Sequence, residues 1–427
     1  MQIEDHPLRY RLANELHARP FPNVAPPAQA IYLAIKQPKD AAKRDRGLDR
    51  AHLLALLDRF GADHPAPDAT HFFGDLGKFR LKWEQHTEFV TYTAFLPLNG
   101  DRPFDPAAWE VFPDDWLARI PGVRITSAQI RIETAPASAQ DIADRLAEWM
   151  VPESLAVSRV LDGSAVVGGD FRVDSNGHMR FAVFCQPETD SRRVGRIVQR
   201  ICEIETYKSM SMLGLPMARE ISTRMGEMDE SLAGLVDAMT GHLAKPAETL
   251  NELLAISAEL EKLQTQSAFR FGATGAYEAL VNQRIEVMRE DRFMGRQTFG
   301  EFMMRRYDPA MRTIKATERR LLSMSERAIR AGDLLRTQVD VDRSAQNQDL
   351  LASMDKRADM QLRLQKTVEG LSVVAISYYA VNLVVYLIAP LAEPLGMTKT
   401  GLTAMAVIPV AVAVWLTVHS IRKSMEK

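Results

Sequence analysis

Two long apolar segments without an Asp, Glu, Lys or Arg lie near the end of the sequence, at 370–392 and 401–420, and a short polar turn separates them. Each segment is long enough for the roughly 20 helical residues that span a bilayer core about 30 Å thick. Buried helices of soluble proteins seldom stay uncharged over such a length. The sequence therefore predicts a C-terminal two-helix transmembrane hairpin, with the lipid bilayer as a partner.

Several basic residues flank the hairpin at its outer ends. The turn between the two segments contains one basic residue, Lys399, and one acidic residue, Glu393. Lys and Arg are retained on the cytoplasmic side of a membrane, which predicts cytoplasmic N- and C-termini. Residues 1–20 have no apolar signal-peptide core, so 1–366 are expected in the cytoplasm. The basic residues in question are Lys356, Arg357, Arg363, Lys366, Arg422, Lys423 and Lys427.

Composition places the rest of the chain among globular proteins, because 46% hydrophobic and 25% charged residues is ordinary usage. A chain of 427 residues exceeds what one core organises, so two soluble units are expected besides the hairpin. With a net charge of -2, the chain has no excess of basic residues of the kind that nucleic-acid binding requires. Cys185 and Cys202 have no metal or disulfide spacing, and we expect both to be buried as small apolar side chains.

Residues 1–187 alternate short β-rich runs with helical ones and predict a cytoplasmic α+β domain. The sequence Asp174, Ser175, Asn176, Gly177 contains Asn-Gly, a strong hairpin signal. Strands are predicted at 30–36, 78–83 paired with 88–95, 123–133, and 165–173 paired with 178–185, and helices at 50–60 and 138–150.

Residues 188–366 lack strand signals and are rich in helix formers, which predicts a helical bundle or stalk. Asp308 and Pro309 form a good helix start, and breaks are expected at 214–216, 241–246, 272–275 and 295–300. A seven-residue repeat is typical of a coiled coil or of a bundle within one chain. The repeat comprises Ile314, Leu321, Ala328 and Leu335, with Leu322 and Ile329 beside it.

Polar residues in the first span cluster on one helical face. Ser372, Tyr379 and Tyr386 are seven residues apart, and Asn382 follows Tyr379 by three. An amide in hydrocarbon needs a polar partner, so Asn382 is expected to face protein or a pore. These four residues are therefore candidate pore-lining residues, with helix packing as the alternative. The remaining residues 367–427 complete the hairpin and a basic tail.

Three stretches of the sequence are similar to a bacterial family of membrane-anchored proteins called domain of unknown function 3422. They are the opening run 14–22, the stretch 83–89, and the run 203–207 leading to 213–216. The resemblance covers essentially the whole chain. It implies the hairpin anchor in a bacterial inner membrane, and that family carries no established activity.

The order of segments also resembles the CorA-type magnesium channels. Those are pentamers whose first span lines the pore and is followed by a Gly-Met-Asn signature. Gly396 and Met397 match the first two signature residues as a possible outer loop, and Thr398 stands where the signature has its Asn. The resemblance implies a homo-oligomer conducting a divalent cation, in which Asp340, Asp342 and Asp349 could form an inner acidic ring. The alternative, which we favour, is that these aspartates lie on a solvated helix surface.

No known catalytic motif is present in the sequence, so the protein is predicted not to be an enzyme and no cofactor is expected. The run 163–169 resembles a phosphate-binding glycine loop only loosely, and its β-rich surroundings favour a turn. Glu84, His86 and Glu88 alternate on a predicted strand, which suits a metal site or a solvated sheet face. His17 and Arg19 could bind an anion. The favoured alternative is that they dock the N-terminal segment, which its prolines make rigid and extended.

Two function classes follow from these observations. The first is an oligomeric, CorA-like divalent cation channel or transporter of the inner membrane with a large cytoplasmic domain. The second is a membrane-anchored scaffold or sensor without transport, for which the cytoplasmic ligand is unknown. Thr398 favours the second class, whereas Asn382 and the tyrosines of the first span favour the first.

Overall fold

The computed structural model of the protein describes residues 3–15, 21–39, 41–98, 100–240, 246–391 and 398–425. The chain divides into two compact units. The globular unit comprises Met1–Leu243 and Asn251–Ala331, and the C-terminal unit comprises Ala244–Leu250 and Gly332–Lys427. Residues 188–240 and 251–331 belong to the same unit as the predicted α+β segment 1–187, and the division into 1–187, 188–366 and 367–427 stays a prediction.

A mixed sheet lies at the centre of the globular unit. Its order among the described residues is β2-β3-β4-β1-β5-β8-β7-β6-β9. Neighbouring strands are antiparallel except β5 and β8, which are parallel. The strands are β1 (Ala28–Lys36), β2 (His71–Asp75), β3 (Arg80–Gln85), β4 (Phe89–Pro97), β5 (Val123–Thr134), β6 (Ala156–Val160), β7 (Ala165–Gly169), β8 (Met179–Cys185) and β9 (Asp291–Arg292).

Helices cover the sheet and then dominate the chain from residue 191 onward, so the protein has an N-terminal α/β sheet domain followed by a long helical region. The helices are α1 (Arg9–Glu15), α2 (Arg46–Phe60), α3 (Asp114–Leu117), α4 (Ala139–Trp149), α5 (Ser191–Met212), α6 (Gly214–Thr240), α7 (Pro246–Glu286), α8 (Phe299–Arg306), α9 (Asp308–Ile388) and α10 (Lys399–Met425). Short 3-10 helices occur at Ala41–Lys43, Pro106–Val111 and Ala389–Leu391.

Local capping explains where several helices begin. The Ser138 side chain accepts a hydrogen bond from the Gln140 backbone at the start of α4. Thr298 and Glu301 form a reciprocal capping box at the start of α8. The helix predicted from Asp308 does begin there, and it continues without interruption to Ile388.

The two faces of the sheet differ in polarity because side chains alternate along each strand. Ile31, Leu33 and Ile35 of β1 point into an apolar core shared with α2 and α3, and Trp83 and Tyr92 fill the same core. Leu146 of α4 lies in a second apolar core over β6, β7 and β8. Tyr32 of β1 points to the opposite face, which α5 covers.

The seven-residue repeat of α9 is buried inside the chain. Ile314, Leu321, Ala328 and Leu335 are each at most 2% exposed, whereas Leu322 and Ile329 are exposed. Ion pairs tie this part of α9 to neighbouring helices: Lys315 contacts Glu278 of α7 at 2.7 Å, and Arg320 and Arg327 both contact Asp229 of α6. The observed burial is that of a helical bundle within one chain.

Four predictions about secondary structure need correction. The break expected at 272–275 is absent, because α7 continues through it while Phe271 and Thr274 pack in the interior. Strand β7 ends at Gly169 rather than at 173, since Phe171 adopts a positive φ of 52°. Strand β9 lies within the predicted helical half. Strand β3 ends at Gln85, so His86 and Glu88 lie in the turn before β4 and do not alternate with Glu84 along one strand.

Candidate functional site

Among the residues that the structure describes, two helices are long and apolar enough to cross a membrane. Their most apolar windows of 18 residues, in α9 and in α10, have mean hydropathies of 2.0 and 2.1. Only 6% and 11% of these windows are buried inside the protein. Removing apolar surface from water is favourable, so surfaces of this size indicate contact with a membrane or another apolar partner.

The apolar part of α9 and helix α10 line a common groove with small and branched side chains. Ile376, Ala380 and Val384, four residues apart, line one groove with α10. On α10 the groove is lined by Pro409, Val410, Ala413, Val414, Thr417, Val418 and Ile421.

None of the four predicted pore-lining residues lines this groove. Tyr379 and Tyr386 are 67% and 78% exposed. Ser372 is exposed and donates to the backbone oxygen of Val368 at 2.8 Å, while Asn382 is half-buried. The side chains of Ser372, Tyr379 and Tyr386 are thus exposed on the surface of the helix.

The other predicted channel residues are only partly described. Gly396 and Met397 lie outside the described residues, and Thr398 is exposed with its backbone oxygen accepting from Leu402 at 3.1 Å. Asp340, Asp342 and Asp349 are exposed along α9. Because residues two apart on a helix face away from each other, Asp340 lies opposite Asp342, whereas Asp342 and Asp349 share a side.

A polar contact joins the sheet to α5 in the globular unit. Lys82 is 6% exposed, and its Nζ donates to Gln199 Oε1 at 2.8 Å and lies 3.0 Å from Glu84. Gln199 Nε2 in turn donates to Glu203 Oε1 at 2.7 Å, and Glu203 pairs with Arg284 of α7. Burying a polar group costs free energy unless the group is hydrogen-bonded. The contacts from Lys82 through Gln199 and Glu203 to Arg284 provide these hydrogen bonds.

Two further sets of polar contacts join the sheet to α5. Tyr32 hydrogen-bonds Thr206, and burial raises the pKa of its phenol well above the usual range. Thr126 Oγ1 donates to Glu205 Oε1 at 3.0 Å, and Lys208 pairs with the same carboxylate at 2.6 Å. Polar pairing therefore continues along α5 from Gln199 to Lys208.

The cavity at this contact is small. Lys82, Glu84, His86, Gln199 and Glu203 line it, and its volume is about 30 Å³. Because a buried water needs about 10–15 Å³, the cavity has room for about two or three waters and not for an organic ligand. We therefore interpret the contact as a structural polar network that joins α5 to the sheet.

The metal interpretation of Glu84, His86 and Glu88 is not supported. His86 stacks on Phe89 with ring centroids 4.3 Å apart, and Glu88 is buried against Arg270 and Tyr277. Within the described ranges, no group of three His, Cys, Asp or Glu side chains could hold a metal ion. His17 and Arg19 lie outside the described residues.

The two cysteines are buried and free, as expected. Burial raises the pKa of the Cys185 thiol to about 12 and raises that of Cys202 well above its usual range. Since the thiolate is the reactive form, both are inert in the folded protein.

Sequence reasoning missed Lys82, Gln199 and Glu203. Lys82 and Glu84 alternate with Leu81 and Trp83, a pattern that equally fits a strand with one face in water. The four-residue spacing of Gln199 and Glu203 was a usable signal, but it equally fits a solvated helix surface. Only the position of α5 over this face shows that these groups are buried.

Comparison with curated proteins gives no match. A family model described as a protein of unknown function (DUF3422) matches residues 4–425. That match spans the sheet, the helical region and both apolar helices. The chain therefore belongs to the DUF3422 family.

Proposed function

We propose that the protein is a multi-pass protein of the bacterial inner membrane, whose large cytoplasmic unit acts as a sensor or scaffold and whose apolar helices form its anchor. The observation that carries this proposal is the apolar surface of α9 and α10, of which little is buried inside the protein. In a bilayer this surface is covered by lipid, and the helical backbone satisfies its own hydrogen bonds. The proposal assigns no reaction to the protein.

The charge distribution supports an orientation with both ends in the cytoplasm. Lys356, Arg357, Arg363 and Lys366 precede the first apolar segment, and Arg422 and Lys423 follow the second. Basic residues near the ends of the spans are retained on the cytoplasmic side.

Cysteine labelling in intact bacteria tests this orientation. The native thiols are inert in the folded protein, so a single added cysteine reports alone. We expect Thr398→Cys to react with a membrane-impermeant maleimide in cells whose outer membrane is permeabilised, and Ser420→Cys to react only after lysis. The reverse pattern would contradict the orientation, and release of the protein by alkaline carbonate would contradict membrane insertion.

The second candidate is an oligomeric, CorA-like channel for a divalent cation. One observation favours it: Ser372, Tyr379 and Tyr386 form an exposed polar stripe outside the groove with α10. Polar side chains in a span usually face protein or water rather than lipid. Several copies of the chain could enclose this stripe together with Asn382, and Asp342 and Asp349 share one side for an inner acidic ring.

Mass and flux measurements separate the two candidates. Light scattering of the detergent-solubilised protein, with the detergent subtracted, is expected to give a ring of about five chains if a pore forms. A mass corresponding to a monomer or dimer would contradict the proposal of an oligomeric channel. For a ring, Asn382→Leu should change divalent cation flux into vesicles while Leu387→Ala should not. Unchanged flux in both variants would exclude Asn382 from the pore.

A further inference from the structure

A pocket lined by four arginines lies at the edge of the globular unit. It has a volume of about 320 Å³, and its other lining residues are Leu161 and Val287. Pockets that take small molecules measure about 300–1,000 Å³, so a small ligand fits. The arginines are Arg193, Arg196, Arg200 and Arg289.

Three structural elements bring these side chains together. Arg193, Arg196 and Arg200 follow one another by three and four residues, which places them on one face of α5. Arg289 comes from the segment after α7, where its backbone adopts a positive φ of 49°. A non-glycine residue in that conformation is held by its surroundings, so Arg289 is presented at a defined place.

The turn between β6 and β7 forms the third wall. Leu161 lies in it, and its backbone N–H donates to the oxygen of Met288 at 2.9 Å, which joins this turn to the segment that carries Arg289. The turn includes Gly163, whose φ is 81°. The run 163–169, a loose phosphate-loop pattern in the sequence, therefore comprises the end of this turn and strand β7, and Ser164 of the turn accepts a hydrogen bond from Arg193 of the pocket.

The positive charge of the pocket is only partly compensated. Arg193 donates to Ser164 Oγ and Arg200 to the Val287 backbone oxygen, both at 2.9 Å and both to neutral acceptors. Arg289 pairs with Asp162 at 2.7 Å, but this pair is more than half exposed. The carboxylate of Glu203, which also acts on Arg200, pairs with Arg284.

Arg196 is the least satisfied member of the set. Its Nε is buried and has no hydrogen-bond partner among the described residues, and its guanidinium lies 5.9 Å from the ring centre of Phe21. Burial lowers the pKa of Arg200, and the neighbouring Arg196, Arg284 and Arg289 lower it further, against an opposing effect of Glu203. The repulsion between these like charges costs free energy, and an anion bound among them would offset it.

We propose that Arg193, Arg196, Arg200 and Arg289 form a binding site for a phosphorylated anion that carries at least two negative charges. Guanidinium groups match phosphate oxygens in a planar, two-point geometry, and such charge-assisted hydrogen bonds are among the strong ones. The free Nε of Arg196 supplies a donor that the protein itself does not use. All lining residues lie in the globular unit, so the proposal does not depend on membrane insertion or transport.

Calorimetric titration of the full-length protein in an uncharged detergent tests the site, with inorganic pyrophosphate as the probe. We expect the wild type to bind pyrophosphate in a chloride buffer of constant ionic strength. The double variant Arg196→Gln/Arg200→Gln should bind at least about tenfold more weakly, since each arginine contributes charged hydrogen bonds. The matched control Arg192→Gln removes an exposed arginine from the same helix and should change the affinity less than twofold.

Thermal unfolding separates lost binding from lost folding. Without pyrophosphate, the double variant should unfold at the same or a higher temperature than the wild type, because repulsion between arginines is relieved. With pyrophosphate, the wild type should be stabilised and the double variant should not. Equal affinity in the wild type and the double variant, or no binding to the wild type, would overturn the proposal.

A competition experiment identifies the source of the phosphate. Dihexanoyl phosphatidic acid is titrated against bound pyrophosphate, with dihexanoyl phosphatidylcholine as the uncharged control. Displacement by phosphatidic acid at lower concentration than by ATP would assign the site to a lipid headgroup. Displacement by ATP at lower concentration would assign it to a soluble phosphate compound. Displacement by phosphatidylcholine as readily as by either anion would contradict an anion site.

Discussion

Glu290 is a single carboxylate that organises the start of a helix. Ser158 Oγ donates to it at 2.7 Å, and the backbone N–H groups of Phe299 and Gly300 donate at 3.2 and 2.8 Å. These N–H groups have no partner within α8, because the first turn of a helix leaves its donors free. Burial raises the pKa of Glu290 even though the three hydrogen bonds act in the opposite direction.

Removing this carboxylate should therefore loosen α8. We expect Glu290→Ala to lower the free energy of unfolding by about 2 kcal/mol, because buried donors lose their acceptor. Glu290→Gln keeps one acceptor oxygen and should lose less. Thermal unfolding in detergent measures both changes, with Glu286→Ala at an exposed position as the control. Equal unfolding temperatures for Glu290→Ala and Glu286→Ala would contradict this role.

His178 makes the stability of the globular unit depend on pH. Its ring stacks on Trp109 at 3.7 Å and hydrogen-bonds Ser127 at 2.8 Å. Burial, assisted by Arg124 and opposed by Asp174, lowers the pKa of His178 to about 4. The unfolded chain takes up a proton near pH 6.5 and the folded protein only near pH 4, so stability is lost as the pH falls between these values.

The variant His178→Asn should reduce that loss. An amide keeps a hydrogen-bonding group near Ser127 and has no proton to gain in this range. We expect the unfolding temperature of the wild type to fall more steeply between pH 6.5 and 4 than that of the variant. Parallel curves would show that another group is responsible.

At the scale of elements, α5 is held by the sheet on one side and by an extended segment, 21–27, near its start. Gly195 allows that approach, because a Cβ there would overlap the backbone oxygen of Pro22. The backbone N–H of Val24 donates to Ser191 at 3.0 Å. The proline-rich segment predicted to be rigid is thus docked where the structure describes it.

Gly195→Ala should displace this segment from α5. We expect proteinase K to cut the variant between residues 21 and 27 at least several times faster than the wild type, as fragment masses would show. Gly226→Ala is the matched control, since a Cβ at Gly226 meets nothing within 4 Å and alanine favours a helix. Equal cleavage rates in the two variants would mean that the segment does not depend on this contact.

Elements with strong local signals were predictable from the sequence. Strands β3 and β4, helix α4 after Ser138 and the start of α9 at Asp308 were all predicted, because alternation and caps act within a few residues. The uninterrupted course of α7 past Gly272 and Gly275 was not predictable, since burial of neighbouring side chains overrides the intrinsic cost of glycine. Strand β9 depends on pairing with β6, more than 130 residues earlier, and two residues carry no periodic signal.

The candidate sites were predictable only in part. The apolar spans followed from length and composition alone, and the polar stripe followed from helical spacing. The contact of Lys82 with Gln199 and the convergence of Arg289 with the arginines of α5 depend on tertiary packing. A sequence pattern assigns such residues to a face but does not show which surface covers that face.

At the scale of the whole molecule, the buried part of α9 ends before the apolar part begins. Leu335 is 1% exposed and is the last residue of the buried repeat, whereas 342–372 are exposed throughout. The globular unit itself ends at Ala331. Its core is therefore complete without the apolar helices.

A chain cut after Asp340 should thus remain folded and soluble without detergent. We expect its unfolding temperature to match that of the full chain within about 3 °C, measured by circular dichroism. A chain cut after Thr313 loses the buried repeat of α9 and should aggregate, since the apolar faces of α6 and α7 are then uncovered. Aggregation of the longer fragment would show that the globular unit needs the C-terminal unit.

The position of β9 also has a consequence for synthesis of the protein. Strand β6 presents one unpaired edge until residues 291–292 have been made, and an open edge is a site for wrong pairing. Residues 291–292 nevertheless precede the first apolar segment of the chain by more than 70 residues. The ribosome therefore delivers the last strand before the first membrane-spanning candidate, and the sheet can close before any insertion machinery has a segment to capture.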